Sequence, residues 1–362
     1  MAGTVFILGA GASSGAGAPL MGEMFAFADK AKNGPLKNDA SFKQSLELVQ
    51  KTRRTLGGID LYSGAENDNL KSIYAALEMG VFAGSLPDVV SSDVPRILPA
   101  ITEVITKTIR SSMQIKFGPN DFRMMPYYHF TDLVRKIGGS NVAVITFNYD
   151  CALDIVMETL ASPPNYVVAN MNQGSWVRLL KLHGSLNWFK CEICNSVTPT
   201  RLDLNISAAE FAQHAIEHPM AISQVCKPGI CWSCGKQIEN SAPFIVPPTF
   251  NKTRYYEPLR EVWAEAHKAL AEANEVVVCG YSFPSTDLFF DHFLQQSFWH
   301  QLGERSFRIY DPSKVVCERY QSRLSPLKPI IQQVGFEQMV EDVRERSGFP
   351  KLTHSPFYPW QI

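Results

Sequence analysis

The sequence contains no uninterrupted apolar stretch approaching the ~20 residues that a membrane-spanning helix needs, so no membrane segment is expected. It also has almost no net charge: 34 Lys and Arg stand against 35 Asp and Glu. Affinity for a nucleic-acid backbone comes mainly from positive charge, so no direct nucleic-acid role is expected. Cysteine is sparse, with eight in 362 residues, which excludes the disulfide framework of a small secreted domain. The first apolar run, Val5 to Ala10, is too short to cross a bilayer and has no basic segment before it. It reads as a strand. Free thiols or metal ligands are then the expected uses of cysteine, and the cytoplasm is the expected compartment. What is present, 45% hydrophobic and 19% charged residues, is an ordinary globular composition for one large or two smaller domains.

Along the chain an α/β pattern is split by a long insert. Val5 to Leu8 reads as a strand, and a glycine-rich turn leads to a helix from about Met21 to Lys32. Residues 34–125 have little strand character. Helical spacing appears in Phe42 to Leu56 and again in Ile97, Ile101, Val104, Ile105 and Ile109, with Pro99 in a first turn, where it is tolerated. Residues 57–69 are rich in Gly, Asp and Asn and read as a loop. The pattern resumes with a helix over Tyr128 to Ile137, a strand over Val142 to Phe147 and an extended stretch over Trp176 to Leu182. Short apolar runs follow at Phe244 to Val246, Val276 to Cys279 and Phe307 to Tyr310, with a helix near Leu259 to Ala273. Near-continuous apolar strands alternating with helices predict a Rossmann-like parallel sheet with helices on both faces. The Pro- and aromatic-rich tail, 349–362, reads as an irregular arm.

Gly9-Ala10-Gly11-Ala12-Ser13-Ser14-Gly15-Ala16-Gly17-Ala18-Pro19 follows the first strand directly. Small residues let a backbone approach a pyrophosphate, and a following helix offers N–H groups and a favourable dipole. The spacing is not that of a dehydrogenase, because Ser14 stands where GxGxxG needs glycine. No Lys-Ser/Thr follows, so it is not a P-loop. A tight strand-to-helix turn without a ligand is the plainer alternative.

After the second core strand the chain reads Thr146-Phe147-Asn148-Tyr149-Asp150. Ligands of parallel sheets bind at carboxyl ends of strands, where these polar groups would emerge. Asp150 could equally cap the next helix. Leu182-His183-Gly184 ends another apolar run, and a neutral imidazole there can accept a proton near neutral pH. Taken alone, His183 could be a structural histidine.

Cys191-Glu-Ile-Cys194 and Cys231-Trp-Ser-Cys234 form two CxxC knuckles, whose four thiolates suit a closed, tetrahedral, structural zinc. The gap between them is longer than usual and holds His214, His218 and Cys226, the last a spare thiol or substitute ligand. A redox CxxC would not account for two pairs. Cys151, Cys279 and Cys317 read as buried apolar cysteines.

In this order the segments resemble the sirtuin superfamily. Gly9 to Pro19 is similar to its GAGxSxxxGxP turn, Thr146 to Asp150 to its TxNxD, and Leu182-His183-Gly184 to the segment of its catalytic histidine. Gly280-Tyr281-Ser282 resembles the GxS that meets the cofactor phosphates, and Asp311 sits where a polar residue holds the adenosine side. The resemblance implies an NAD-binding domain over 1–33 and 126–348. A helical insert over 34–125 and a zinc-knuckle module over 188–240 interrupt it, and the tail is 349–362. It implies NAD contacts from Gly9, Ala10, Gly11, Ser13, Pro19, Thr146, Gly280, Ser282 and Asp311, with Asn148, His183 and Asp150 performing the chemistry and zinc held by Cys191, Cys194, Cys231 and Cys234.

Two departures bear on the reaction. Leu20-Met21-Gly22 stands where deacylating sirtuins carry Asp-Phe-Arg. Pro247-Pro248 interrupts the strand with which those enzymes pair an acyl-lysine peptide, and proline cannot donate to such a ladder. Asn148-Tyr149-Asp150 and Gly280 to Asp287 look instead like the sirtuin-like NAD hydrolases of bacterial anti-phage defence, many of which lack zinc knuckles. NAD hydrolysis to nicotinamide and ADP-ribose is the expected activity. NAD-dependent deacylation and non-catalytic NAD or ADP-ribose sensing are the alternatives. A free NAD hydrolase would harm its own cell, so gating is expected, by homo-oligomerisation or by a separately encoded partner such as a ring-forming ATPase.

Overall fold

Strands that are apolar at every position, and not alternately, must be covered on both faces. Val5 to Leu8 and Val142 to Thr146 meet that requirement in the computed structural model, where every one of these side chains is buried. The structure describes residues 3–57, 70–85, 92–113, 115–117, 125–138, 141–160, 162–168, 177–200, 220–222, 226–249, 253–284, 288–298 and 305–351.

In chain order come β1 (Gly3–Leu8), α1 (Ala10–Ser14), α2 (Met24–Asn33), α3 (Ala40–Gly57), α4 (Leu70–Ala83) and α5 (Ile97–Ser112). Next are β2 (Ile115–Phe117), α6 (Met125–Ile137), β3 (Val142–Thr146), α7 (Ala152–Thr159) and β4 (Arg178–Lys181). The short strands β5 (Trp188–Lys190), β6 (Val197–Pro199) and β7 (Met220–Ile222) precede α8 (Thr253–Glu272) and β8 (Ala273–Cys279). After these come α9 (Leu288–Phe298), β9 (Ser306–Tyr310), α10 (Lys314–Arg323), β10 (Ile330–Gln332) and α11 (Phe336–Arg346).

Six strands form one parallel sheet in the order β10-β9-β8-β1-β3-β4. The chain steps from β1 through β3 to β4, then returns to β8 on the other side of β1. The right-handed crossovers general to parallel sheets put α6 and α7 on one face and α8 and α9 on the other, in keeping with the packing of α6 on α7 and of α8 on α9. Ring contacts of 5.0 Å between Phe6 and Phe130 and 5.5 Å between Phe130 and Phe336 join β1, α6 and α11. Trp263 meets Phe293 at 4.9 Å between α8 and α9. The strand order reverses at β1, and in such sheets the usual ligand position is beyond the carboxyl ends of the strands at the reversal, here β1, β3 and β8.

Several expectations change. Phe244 to Val246 is not a sheet strand. It pairs antiparallel with the segment after β4, through Gly184 opposite Ile245, Ser185 N to Phe244 O and Val246 N to His183 O. Pro243, Pro247 and Pro248 leave too few donors for a longer ladder. The sixth strand is β10, whose Ile330 is exposed. The helix expected from Met21 starts at Met24 after a 3-10 turn over Met21–Glu23, and the glycine segment itself contains α1. The helix expected near Leu259 to Ala273 runs over Thr253–Glu272, with Ala273 already in β8. Between the two expected helices of the 34–125 region, α3 and α5, lies a further one, α4. In α5, Pro99 does fall in the first turn. The 34–125 region also supplies β2, paired antiparallel with β7. The loop over 58–69, His214, His218 and tail residues 352–362 lie outside the described residues.

A buried ion pair fixes β4 against α7. Lys181 Nζ donates to Asp154 Oδ2 at 3.0 Å and to the Asp150 carbonyl at 2.6 Å, and both side chains are 1% exposed. Tyr166 donates to the other Asp154 oxygen. Burial opposes the Lys181 charge, but the Asp154 carboxylate, together with Cys151 and Asp150, outweighs it and holds the ammonium above its ordinary pKa. Removing one partner of such a pair leaves an uncompensated charge, at a cost of about 3–5 kcal/mol. Lys181→Met should therefore lower the urea midpoint sharply, and Lys181→Met/Asp154→Leu should recover most of the loss. An unchanged midpoint in the single variant contradicts this.

Candidate functional site

The two glycine segments meet backbone to backbone. Gly9 N donates to Cys279 O at 3.0 Å and Gly11 N to Gly280 O at 2.9 Å. A Cβ on Gly9 would lie 2.5 Å from Gly280 O, one on Gly11 2.7 Å from Gly280 Cα, and one on Gly280 2.3 Å from Ala12 N. Gly280 also has φ +65°, a conformation side-chain-bearing residues rarely adopt. The glycines are therefore required first by mutual packing of the β1 and β8 ends. The Gly9 and Gly11 N–H groups are spent on this contact.

Asn148 lies two residues beyond β3 and is half-buried between buried neighbours. Its Nδ2 donates to Gly9 O at 2.9 Å and to Ser13 Oγ at 2.8 Å. Both amide hydrogens are thus used, and the group left to a ligand is the acceptor Oδ1. Thr146 braces the same corner: its Oγ1 donates to Leu8 O at 3.0 Å and accepts from Asn148 N at 3.1 Å. The Asp150 carboxyl is buried and accepts from Ala152 N, the first residue of α7, at 3.0 Å, although the N-cap position itself is Cys151. Burial raises its pKa above the usual carboxylate range, against the pull of Lys181, Ala152 N and the Ser13 hydroxyl.

His183 follows β4 and is half-buried. Its ring lies 5.0 Å from that of Phe147 and 6.4 Å from that of Tyr149, the two neighbours of Asn148. Phe147 in turn stacks on Tyr281 at 4.4 Å and meets Phe290 edge-on at 4.7 Å. Gly184 turns the chain with φ +76°, and a Cβ there would lie 2.2 Å from Phe244 O. Tyr149 donates its hydroxyl to Val246 O at 2.6 Å, so the bridged 244–246 segment also holds the Asn148 loop. Arg110 of α5 donates to Leu186 O at 2.9 Å, bringing a helix of the 34–125 region to the same edge.

The remaining expected contacts are more dispersed. Ala10 and Ser282 are exposed and Pro19 is buried. Arg319 donates to the Ser282 carbonyl. Asp311 follows β9, accepts from Ser313 N at 2.9 Å, and has its pKa raised by burial. Asp311, Gly280, Asn148 and His183 thus follow the carboxyl ends of four sheet strands. Phe147 and Tyr281 were visible inside motifs but carried no assigned role. Lys181 and Tyr127 gave no sequence signal: each matters through partners distant in the chain.

The four expected thiols converge. Sγ atoms of Cys191, Cys194, Cys231 and Cys234 all lie within 4.8 Å of one another. Zn–S bonds of ~2.3 Å at tetrahedral angles separate sulfurs by about 3.8 Å. Cys191 to Cys234 is 3.7 Å and Cys194 to Cys231 is 3.6 Å. The knuckles repeat one backbone turn: Asn195 N to Cys191 O at 2.9 Å and Gly235 N to Cys231 O at 2.8 Å, with φ +62° and +70° at those positions. The cluster fits a four-thiolate zinc with no open position. Cys226 packs beside it without joining it. Cys151 and Cys279 are buried as expected, whereas Cys317 is half-buried.

No protein-family model matches the chain. No curated protein matches it. Among solved structures 83 chains match. Sir2Tm bound to a propionylated peptide is 14% identical over 96% of this chain and 94% of that one, with a TM-score of 0.39. A Sir2–p53 peptide–NAD+ complex is 15% identical over 95% and 93%, at 0.41. A Sir2 homologue in complex with NAD is 15% identical over 95% and 90%, at 0.39. Likeness of this order decides nothing about chemistry.

Purified protein should contain zinc in equimolar amount by elemental analysis, and Cys231→Ser should lose it with a lower melting temperature. Metal-free protein that melts as the untreated sample does would overturn the zinc reading.

Proposed function

We propose that this chain is an NAD glycohydrolase that cleaves the nicotinamide–ribose bond to give nicotinamide and ADP-ribose. The observation that supports the reading is that Asn148 bonds Gly9 O while the His183 ring packs on Phe147, the residue before Asn148, beside the Gly9–Gly11–Gly280 contact at the topological switch point of the sheet. The crevice would take NAD along Gly9, Ala10, Gly11, Ser13, Gly280, Ser282 and Asp311, while buried Pro19 and Thr146 brace that lining. Breaking the glycosidic bond sends its electron pair to the nicotinamide nitrogen and leaves an oxocarbenium-like ribose. Water attacks the anomeric carbon and gives its proton to His183, acting as general base. Asn148 Oδ1, the free acceptor of its amide, orients that water or a ribose hydroxyl. Asp150 shapes the nicotinamide end and favours developing positive charge.

Deacylation fits less well. An added peptide strand needs a sheet edge with free donors. Residues 244–246 are already bridged to 183–185, and Pro247 and Pro248 have no N–H to offer. The same reading places the protein in the cytoplasm as a gated effector of anti-phage defence by NAD depletion. Gating would come from homo-oligomerisation or a separately encoded partner such as a ring-forming ATPase, docking on the 34–125 insert or the tail. Among the described residues no helix is long and apolar enough to cross a membrane.

His183→Ala and Asn148→Ala should each lose most NAD turnover, on the order of 10²–10⁴-fold for the base. Chromatography of nicotinamide and ADP-ribose, with and without an acyl-lysine peptide, checks this. Variants as active as wild type would overturn the assignment, and turnover strictly dependent on the peptide would replace it with deacylation.

A further inference from the structure

Tyr127, the third residue of α6, reaches across to the glycine turn. Its hydroxyl lies 2.7 Å from Ser13 Oγ and donates to Ala12 O at 3.1 Å. The side chain is buried, with its ring 5.2 Å from that of Phe336, so a polar group has been taken out of water to serve this one corner. Burial, with the nearby Asp150 charge, pushes the phenol well above its ordinary pKa, so it stays protonated. Ser13 Oγ is the atom on which one of the Asn148 amide hydrogens ends. With the one Tyr127 proton on Ala12 O, Ser13 donates to the Tyr127 oxygen and keeps its lone pairs for Asn148.

We infer that Tyr127 is a positioning residue: through Ser13 it fixes the Asn148 amide with both N–H groups inward and Oδ1 left for the substrate. A primary amide at a strand end can flip between two nearly isosteric orientations, and only the hydrogen-bond network distinguishes them. Gly9 O alone holds one hydrogen. The Tyr127–Ser13 pair holds the other, and a flipped amide would set its Oδ1 against Gly9 O, which has no proton to give, and against Ser13 Oγ, whose one proton is committed to Tyr127. Asn148 is thus poised as an acceptor by a residue that need not touch the substrate. The catalytic half of the inference rests on the hydrolase reading above; the amide geometry does not.

Tyr127→Phe removes the hydroxyl and keeps the ring. The test follows the Asn148 side-chain NH2 pair by NMR in full-length protein labelled with 15N-asparagine, alongside steady-state NAD hydrolysis. In the variant the pair should shift and exchange faster with solvent. Because small misplacements of a catalytic group can cost up to ~10²-fold, kcat should fall about 10- to 100-fold with KM nearly unchanged. An Asn148 pair identical to wild type would overturn the inference, as would a moved pair with unaltered kcat. A moved pair in a protein whose wild type consumes no NAD would keep the positioning and sink the hydrolase reading. If Tyr127→Phe fails to fold, Ser13→Ala cuts the same link and is read on the same NMR signal.

Discussion

Three glycines in backbone contact hold the site together. Gly9 and Gly11 after β1 press against Gly280 after β8, at distances where no Cβ fits. Parallel strands diverge beyond their last ladder bonds, and here the hydrogen bonds Gly9 N to Cys279 O and Gly11 N to Gly280 O continue the registration past the sheet edge. Everything polar nearby is referenced to that junction. Gly9 O anchors the Asn148 amide, Ala12 O anchors Tyr127, and Tyr281 follows directly to stack on Phe147 beneath His183.

The second organising element is burial of charge without loss of pairing. Lys181 sits at the end of β4, two residues before His183, and grips the carbonyl of Asp150 as well as Asp154. One ammonium therefore ties the Asn148 loop to the histidine strand. The Asp150 carboxyl, raised by burial, is an ionisable group kept out of water at the site's edge. Such perturbation is common where chemistry is done, and costs stability elsewhere in the fold. The cysteine cluster stands apart from this network: four thiols on two matching turns brace the β5–β6 region.

Much of the sheet was legible because buried parallel strands are apolar throughout, as in Val142 to Thr146. The misread run, Phe244 to Val246, is equally apolar but only three residues long and flanked by prolines, so it bridges and does not join the sheet. β10 escaped because Ile330 is exposed and the strand is three residues long. α4 carries a buried stripe at Leu70, Ile73, Tyr74 and Leu77, but the exposed apolar residues Met79 and Phe82 on its other side blur the contrast. At the site, the glycines, Asn148, His183 and the cysteines were recognisable by motif and order. Tyr127 was not, because its significance lies in an oxygen of a residue 114 positions away.

On the proposed function, the site consumes NAD with water alone. The most direct measurement incubates purified wild-type protein with NAD, in the absence of any peptide and over a wide range of protein concentrations, and identifies the products. Nicotinamide and ADP-ribose should appear in equal amounts, formed more rapidly per chain as concentration favours assembly. NAD left intact at every concentration, though bound, would contradict it and leave a binding protein in place of an enzyme.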